Sequence, residues 1–365
     1  MMKKRKVIVA MSGGVDSSVT AALLKEKGYE VIGLTYNLWP SDDSNLQRRK
    51  HETCCGFRAR MDAHQVAIKL NISHYMADYR EIFKKTVVEY FCNEYFEGRT
   101  PNPCIRCNQY VKFGYLLEHA KKLGADFIAT GHYARIVYDE KKKRYLLKKG
   151  IDPKKDQSYF LYTMSQEQLS KTLMPLGEYT KRKVREIARN LGLPVAWRAE
   201  SQEICFIPDG NYSEFLAKIR PNDVKPGPII NKRGEILGQH KGIIYYTIGQ
   251  RKGLEISSER PLYVISIDKK TNTIVVGEDK EVYRNEFIVE EINWIMEEKK
   301  EKPFKAKVKI RYIHPEADAD IIPMNQNRAY VRFLTPQRAI TPGQSAVFYD
   351  GDIVIGGGVI KEVKA

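Results

Sequence analysis

No stretch of the 365-residue chain approaches the roughly 18 consecutive apolar residues of a membrane-spanning helix. Cysteine is absent from the last 160 residues, and the six that exist sit at 54, 55, 92, 104, 107 and 205. Met1 to Met11 passes from a basic tetrad straight into Ser12-Gly13-Gly14, which fits no secretory signal. Membrane proteins, secreted disulfide scaffolds and disordered tails are therefore disfavoured, and an intracellular C-x-x-C reads as metal-binding or redox-active. Acidic residues are also in deficit, with 45 Asp plus Glu against 61 Lys plus Arg, a net charge of +16. That surplus fits nucleic acid, a membrane surface or a Lys-rich solvated exterior.

With 42% hydrophobic and 29% charged residues, the chain reads as globular. It is long enough for two or three domains of about 100–200 residues. Neither internal repeats nor low-complexity tracts interrupt it. The first 130 residues alternate strand and helix: strands at 6–11, 30–36, 73–77 and 126–130, helices at 19–27, 59–70, 80–97 and 109–123. Such alternation with short connections predicts an α/β domain with a doubly wound parallel sheet. A hairpin is expected at 135–138 and 145–148, then helices at 165–173 and 180–191. Residues 222–242 are rich in Pro and Gly, and period-two alternation from about 285 predicts a terminal β-barrel. Lys305, Lys307, Lys309 and Arg311 share one side of that pattern, either an RNA surface or an ordinary wet sheet face.

Ser12-Gly13-Gly14-Val15-Asp16-Ser17-Ser18 joins the first strand to the first helix. Paired glycines let the backbone approach an anion, and the helix N-terminus favours phosphate. Asp16, Ser17 and Ser18 are candidate caps for that helix. The loop has neither the lysine of G-x-x-x-x-G-K-[ST] nor the spacing of G-x-G-x-x-G. It resembles the pyrophosphatase loop of ATP-dependent adenylating enzymes, whose fold is the adenine nucleotide alpha hydrolase type. Downstream, Thr100-Pro101-Asn102-Pro103-Cys104-Ile105-Arg106-Cys107-Asn108 precedes a helix. Asn108 is a candidate cap, which would put Cys107 near a helix N-terminus beside Arg106, a setting that lowers a thiol pKa. Cys92, between Phe91 and Tyr95 on an apolar face, reads as an inert core thiol. Cys54 and Cys55, after His51, read as loop thiols more readily than as ligands or a sulfur relay, and His64 as a surface or packing residue.

Along nearly its whole length the chain resembles the tRNA-specific 2-thiouridylases. The motifs are SGGVDSS at 12–18, GRTPNP at 98–103, CN at 107–108, VKF at 111–113, GADFIATGHYAR at 124–135, KDQSYFL at 155–161, ICFI at 204–207 and YYTIGQRKGL at 245–254. The resemblance implies a catalytic domain over 1–207, a small central domain over 208–283 and a β-barrel over 284–365. It implies that ATP, with Mg²⁺, adenylates the C2 oxygen of a wobble uridine in tRNA before sulfur replaces it. Ala10, Met11, Ser12, Gly13, Gly14, Val15, Asp16, Ser17, Tyr36 and Gly131 then line the nucleotide. Cys107 matches the nucleophile and Cys205 the persulfide carrier. Asn102 and Pro103 face the target base, and His132, Lys155, Asp156, Gln157, Arg311, Tyr312 and Gln344 meet tRNA, with the Lys-rich stretch 141–155 touching its phosphates. Family resemblance extends this to the anticodon loops of Lys, Glu and Gln tRNAs, a sulfur donor protein or sulfide, and the cytoplasm.

One departure stands out: the better-known pattern is D-x-x-C, with the aspartate proposed as a base, and here that position is Cys104. With Cys107 and Cys205 it forms the set that resembles iron–sulfur-dependent tRNA thiolases, in which three cysteines hold a 4Fe–4S cluster. A C-x-x-C plus one cysteine also suits Zn²⁺, and a persulfide relay through Cys205 and Cys107 is the alternative to a cluster.

Overall fold

The computed structural model describes residues 4–38, 57–199, 204–207, 210–298 and 300–364. Cys54, Cys55 and His51 lie outside the described residues. The N-terminal sheet is parallel, in the order β3-β2-β1-β4-β7, from β1 (Lys6–Ala10), β2 (Glu30–Asn37), β3 (Ser73–Asp78), β4 (Phe127–Ala129) and β7 (Thr172–Leu173). Val7, Ile8 and Val9 of β1 are fully buried, as a central strand covered on both faces requires. Helix α1 (Val15–Glu26) packs on one face with α2 (Phe57–Leu70). Helical residues 80–96 and 103–122 cover the other, their Phe83, Phe91, Val111 and Phe113 forming the larger core cluster.

The expected alternation is present, with informative differences at the ends. α1 begins at Val15, with Gly14 as its cap and no side-chain cap bond. Ser17 and Ser18 do not cap it; their hydroxyls donate back to Gly14 O at 3.2 and 2.8 Å. The first N–H groups of the helix therefore keep their anion-binding capacity.

The second domain carries a four-stranded sheet in the order β10-β11-β8-β9, from β8 (Gly227–Ile230), β9 (Ile236–His240), β10 (Tyr263–Asp268) and β11 (Thr273–Gly277). The C-terminal unit is a six-stranded barrel of β12 (Tyr283–Trp294), β13 (Phe304–Lys309), β14 (Ala317–Met324), β15 (Arg328–Arg338), β16 (Ser345–Asp350) and β17 (Ile353–Val363), closed by the β12–β17 pairing. The hairpin of β5 (Ala134–Asp139) and β6 (Arg144–Lys149) leaves the N-terminal domain and pairs with β17. Arg135 and Lys148 meet Asp352 at 2.7 and 3.1 Å, and Lys149 meets Glu316 at 2.6 Å. These cations of the Lys-rich hairpin dock it to the barrel, while Lys141, Lys142 and Lys143 remain exposed at its turn.

The alternation expected through Arg311 stops earlier. β13 ends at Lys309, and Arg311 turns inward to donate to Ala339 O at 2.8 Å. Lys305 and Lys307 stand opposite Asp320 and Asp318, with a Lys307–Asp318 contact of 3.3 Å. Facing carboxylates give this sheet face both signs of charge, with Asp320 also paired to Arg332 at 3.3 Å.

A cavity between the phosphate loop and the cysteines

One cavity of about 350 Å³ collects most of the predicted nucleotide and sulfur residues. Ala10, Met11, Ser12, Asp16, Ser17, Tyr36 and Gly131 line one part; Pro103, Cys104, Cys107, His132, Gln157 and Cys205 line the rest. The phosphate-loop part forms because β1 ends at Ala10 in the middle of the sheet and the chain turns at once into α1. Gly13 makes that turn at φ +70°, where an added Cβ would stand 2.1 Å from Ala59 O of α2. Gly131, just past β4, lies against the loop so closely that a Cβ would be 2.9 Å from Asp16 C and Ser17 N. Gly13, Gly14 and Val15 are not among the residues lining this cavity, and the Val15 side chain belongs to the core under α1.

Two cations that the sequence did not reveal converge here. Lys181 donates to both carboxylate oxygens of Asp16 at 2.7 Å, and Tyr133 Oη donates to the same carboxylate at 2.7 Å. Arg198 donates to Gly13 O at 3.0 Å and pairs with Asp62. Lys181 is 165 residues from Asp16 in sequence, so no local pattern could have found it. The ion pair is only partly exposed, so its removal leaves a poorly solvated carboxylate where a triphosphate would lie. Lys181→Met should weaken ATP binding about 10- to 100-fold, the equivalent of roughly 1.4–2.8 kcal/mol. Adding Asp16→Asn should recover part of the loss in equilibrium ATP titration, as coupled neighbours do.

At the cysteine end the sequence reading of the cap is corrected. Asn102, and not Asn108, starts the helix: its Oδ1 accepts the Cys104 N–H at 3.1 Å, with Pro103 as the first helical residue. Cys104 therefore occupies the first turn and is exposed, while Cys107 is buried one turn on, where a π-helical stretch, Cys107–Tyr115, begins. Asn108 instead donates from Nδ2 to Phe160 O at 3.0 Å. Arg106 points away from this cavity. Its guanidinium lies 4.2 Å over Tyr90 and pairs with Glu291 at 2.9 Å, lining a second cavity of about 130 Å³ with Asn102. Cys205, half-buried, reaches the main cavity from the Ile204–Phe206 segment. Cys92 is 2% exposed, and burial pushes its thiol up to about 11, as fits a core thiol.

Three thiols on one cavity are the soft donor set that an iron–sulfur cluster takes. Among the described residues no three His, Cys, Asp or Glu form a group that could hold a metal ion. The fit to a cluster thus rests on donor chemistry and a shared cavity.

The residues expected at the RNA divide. Pro103, His132 and Gln157 line the main cavity, and Asn102 the second one. Asp156 is buried, accepting from Gly150 N at 3.1 Å and from Ser158 Oγ at 2.9 Å, so it shapes its own loop. Lys155 is half-buried beside it. Tyr312 packs 4.5 Å from Phe160, and Gln344 donates to Thr100 O at 3.0 Å. With Thr100 N–H on Pro342 O at 2.9 Å, the barrel thereby grips the turn that presents the C-x-x-C pair. Asp156, Arg311 and Gln344 are engaged within the protein. Lys112, inside the VKF motif, lines the cavity beside His132 and was not singled out from sequence.

Comparison with known proteins adds a family. The model described as tRNA methyl transferase HUP domain matches residues 5–209. A tRNA methyl transferase PRC-barrel domain matches 213–278, and an aminomethyltransferase beta-barrel domain 284–360. The chain is 55% identical over 362 residues to a tRNA-specific 2-thiouridylase of Caldanaerobacter subterraneus subsp. tengcongensis, covering 99% of each chain. It is 52% identical over 360 residues to that of Acetivibrio thermocellus, covering 99% of this chain and 100% of the relative. For Clostridium perfringens the identity is 50% over 362 residues, with the same coverage.

Proposed function

Because this chain belongs to the tRNA-specific 2-thiouridylase family, we propose that it activates the C2 oxygen of a tRNA wobble uridine with ATP and replaces it by sulfur. As a member it is a sulfurtransferase that modifies tRNA. The observation that carries the chemical reading is the single cavity with a phosphate loop and three cysteines on its walls. An amide-like carbonyl oxygen leaves poorly, so it must first become the leaving group AMP. Uridine O2 attacks the α-phosphorus, and the bond to the bridging oxygen breaks. That electron pair departs with pyrophosphate, toward the uncapped N-terminus of α1. A sulfide-level nucleophile then adds at C2, and the C2–O pair leaves with AMP.

The Ser12 and Ser17 hydroxyls on the cavity wall are the hard oxygen donors that would face Mg²⁺, which offsets triphosphate charge, while the Asp16 carboxylate is held by Lys181. Cys104, Cys107 and Cys205 would hold a 4Fe–4S cluster, which supplies an open iron for sulfide. A persulfide relay between Cys205 and Cys107 is the second reading. It is favoured by their arrival at one cavity from separate segments, with Cys205 only partly buried. The target uridine, in a single-stranded anticodon loop, enters by flipping out at limited unstacking cost. Tyr36 and Gly131 contact the nucleotide, and Pro103 and Gln157 the base. No described helix is long and apolar enough to cross a membrane, and we place the enzyme with tRNA in the cytoplasm.

Incubating the anaerobically purified enzyme with ATP, sulfide and unmodified tRNA should give 2-thiouridine by nucleoside mass spectrometry, with one AMP and one pyrophosphate per sulfur gained. ATP turnover without sulfur in the tRNA would sink this reading.

A further inference from the structure

The adenylation just described leaves a proton unaccounted for. When O2 of the uridine bonds to phosphorus, N3 must lose its hydrogen for the ring to become a neutral adenylate with a C2=N3 bond. The position that holds an aspartate in D-x-x-C carries Cys104 here. The titratable groups lining the cavity are Asp16, Tyr36, Cys104, Cys107, Lys112, His132 and Cys205. Asp16 is engaged by Lys181 and Tyr133 beside the phosphate loop. Lys112 is a cation, Tyr36 is a neutral phenol stacked on Tyr79 and assigned to the nucleotide, and the thiols are assigned to sulfur. An imidazole remains.

Resting on the function proposed above, we propose that His132 is the general base that takes the N3 proton of the uridine during adenylation. Its position suits the task, because Gly131, the preceding residue, packs against Asp16 and Ser17. His132 thus lies one residue from the phosphate loop and in the same cavity as the cysteines. Thr130 Oγ1 stands 2.7 Å from Nδ1, and the ring lies 5.7 Å from Phe113, so its orientation is held. If Nδ1–H donates to Thr130, Nε2 carries the lone pair. Thr130 is then a positioning residue. Burial, aided by the Lys112 charge, holds the imidazole well below its ordinary value and therefore neutral. A weak base suffices, because the positive charge placed on the ring by O-phosphorylation makes N3–H far more acidic than in uridine. The proton passes from N3 to Nε2, the N3–H pair becomes the C2=N3 bond, and the proton returns to N3 as sulfur adds at C2.

The test is single-turnover formation of AMP and pyrophosphate from ATP and tRNA. His132→Gln should slow it about 10²- to 10⁴-fold, the range for a positioned acid–base group. Dissociation constants for ATP and tRNA should change less than about threefold, within a fraction of a kcal/mol. Thr130→Val should slow it about tenfold, and added imidazole should partly restore His132→Gly. In the wild type the rate should stay level as pH falls through 6.5, because the neutral imidazole is the active form. An unchanged rate in His132→Gln at saturating tRNA, a loss confined to tRNA affinity, or no imidazole rescue of a folded His132→Gly would overturn the assignment. Absence of AMP formation in the wild type would instead overturn the adenylation reading as well.

Discussion

Cys107→Ser is expected to reduce 2-thiouridine formation at least about a thousandfold, the scale of losing a group that bonds directly to the transferred atom. The substitution is nearly isosteric. Cys107 is buried where the first helical turn passes into the π-helical stretch, among residues of the main core, and a serine there keeps the helix. What disappears is the soft, polarisable sulfur: a hydroxyl neither binds iron nor carries persulfide under ordinary conditions. Cys205→Ser should be equally severe. Cys104→Ser separates the two readings of sulfur delivery. If three thiolates hold a cluster, this variant loses iron and acid-labile sulfide together with thiolation. In a relay between Cys205 and Cys107, it keeps most of its activity with a persulfide donor. Iron and sulfide assays on anaerobically purified protein, beside nucleoside mass spectrometry, decide. Thiolation at the wild-type rate by metal-free enzyme would exclude the cluster.

Gly13→Ala should be the most damaging single methyl in the phosphate loop, whereas Gly14→Ala should leave folding intact. The two glycines are adjacent and look equivalent in sequence. Gly13 has φ +70°, and its Cβ would be 2.1 Å from the backbone oxygen of Ala59, which cannot step aside without moving α2. Gly14 has φ −89°, and its Cβ would meet only Ser12 Oγ at 3.5 Å. Overpacking against backbone costs about 3 kcal/mol, the upper part of the usual range, with left-handed strain added. At roughly 2–4 °C per kcal/mol for a domain of this size, melting should fall by about 6–12 °C. ATP binding should be lost with it, because the N-terminus of α1 is displaced. Thermal melts and ATP titration of both variants check this. Equal melting temperatures would mean that the α2 contact does not constrain the loop.

The phosphate loop was legible because its chemistry is contiguous: strand, Gly-Gly turn, acidic residue and helix follow within a dozen residues. The sheet was legible because buried parallel strands are short apolar runs separated by helix-period patterns. The cap was misread by six positions, from Asn108 to Asn102, because the π-helical stretch and the Pro103 turn extend the helix backward into a segment that looks like a loop. Arg106 was expected beside the thiols for the same reason. In the fold it belongs to Glu291, 185 residues away. The Lys305 and Lys307 face could not be resolved from its own strand, since the charge that balances it comes from Asp318 and Asp320 through β13–β14 register.

By itself the sequence determined the parallel-sheet class, the anion-binding turn and the three candidate cysteines, because each depends on local periodicity or on residue type. Only the tertiary structure decided that Cys205 shares a cavity with the C-x-x-C pair and that Lys181 faces Asp16. It also decided that the barrel grips the Thr100 turn through Pro342 and Gln344. These are contacts between residues about 100 to 245 positions apart. They arise from sheet order, hairpin docking and strand register, which no single segment encodes.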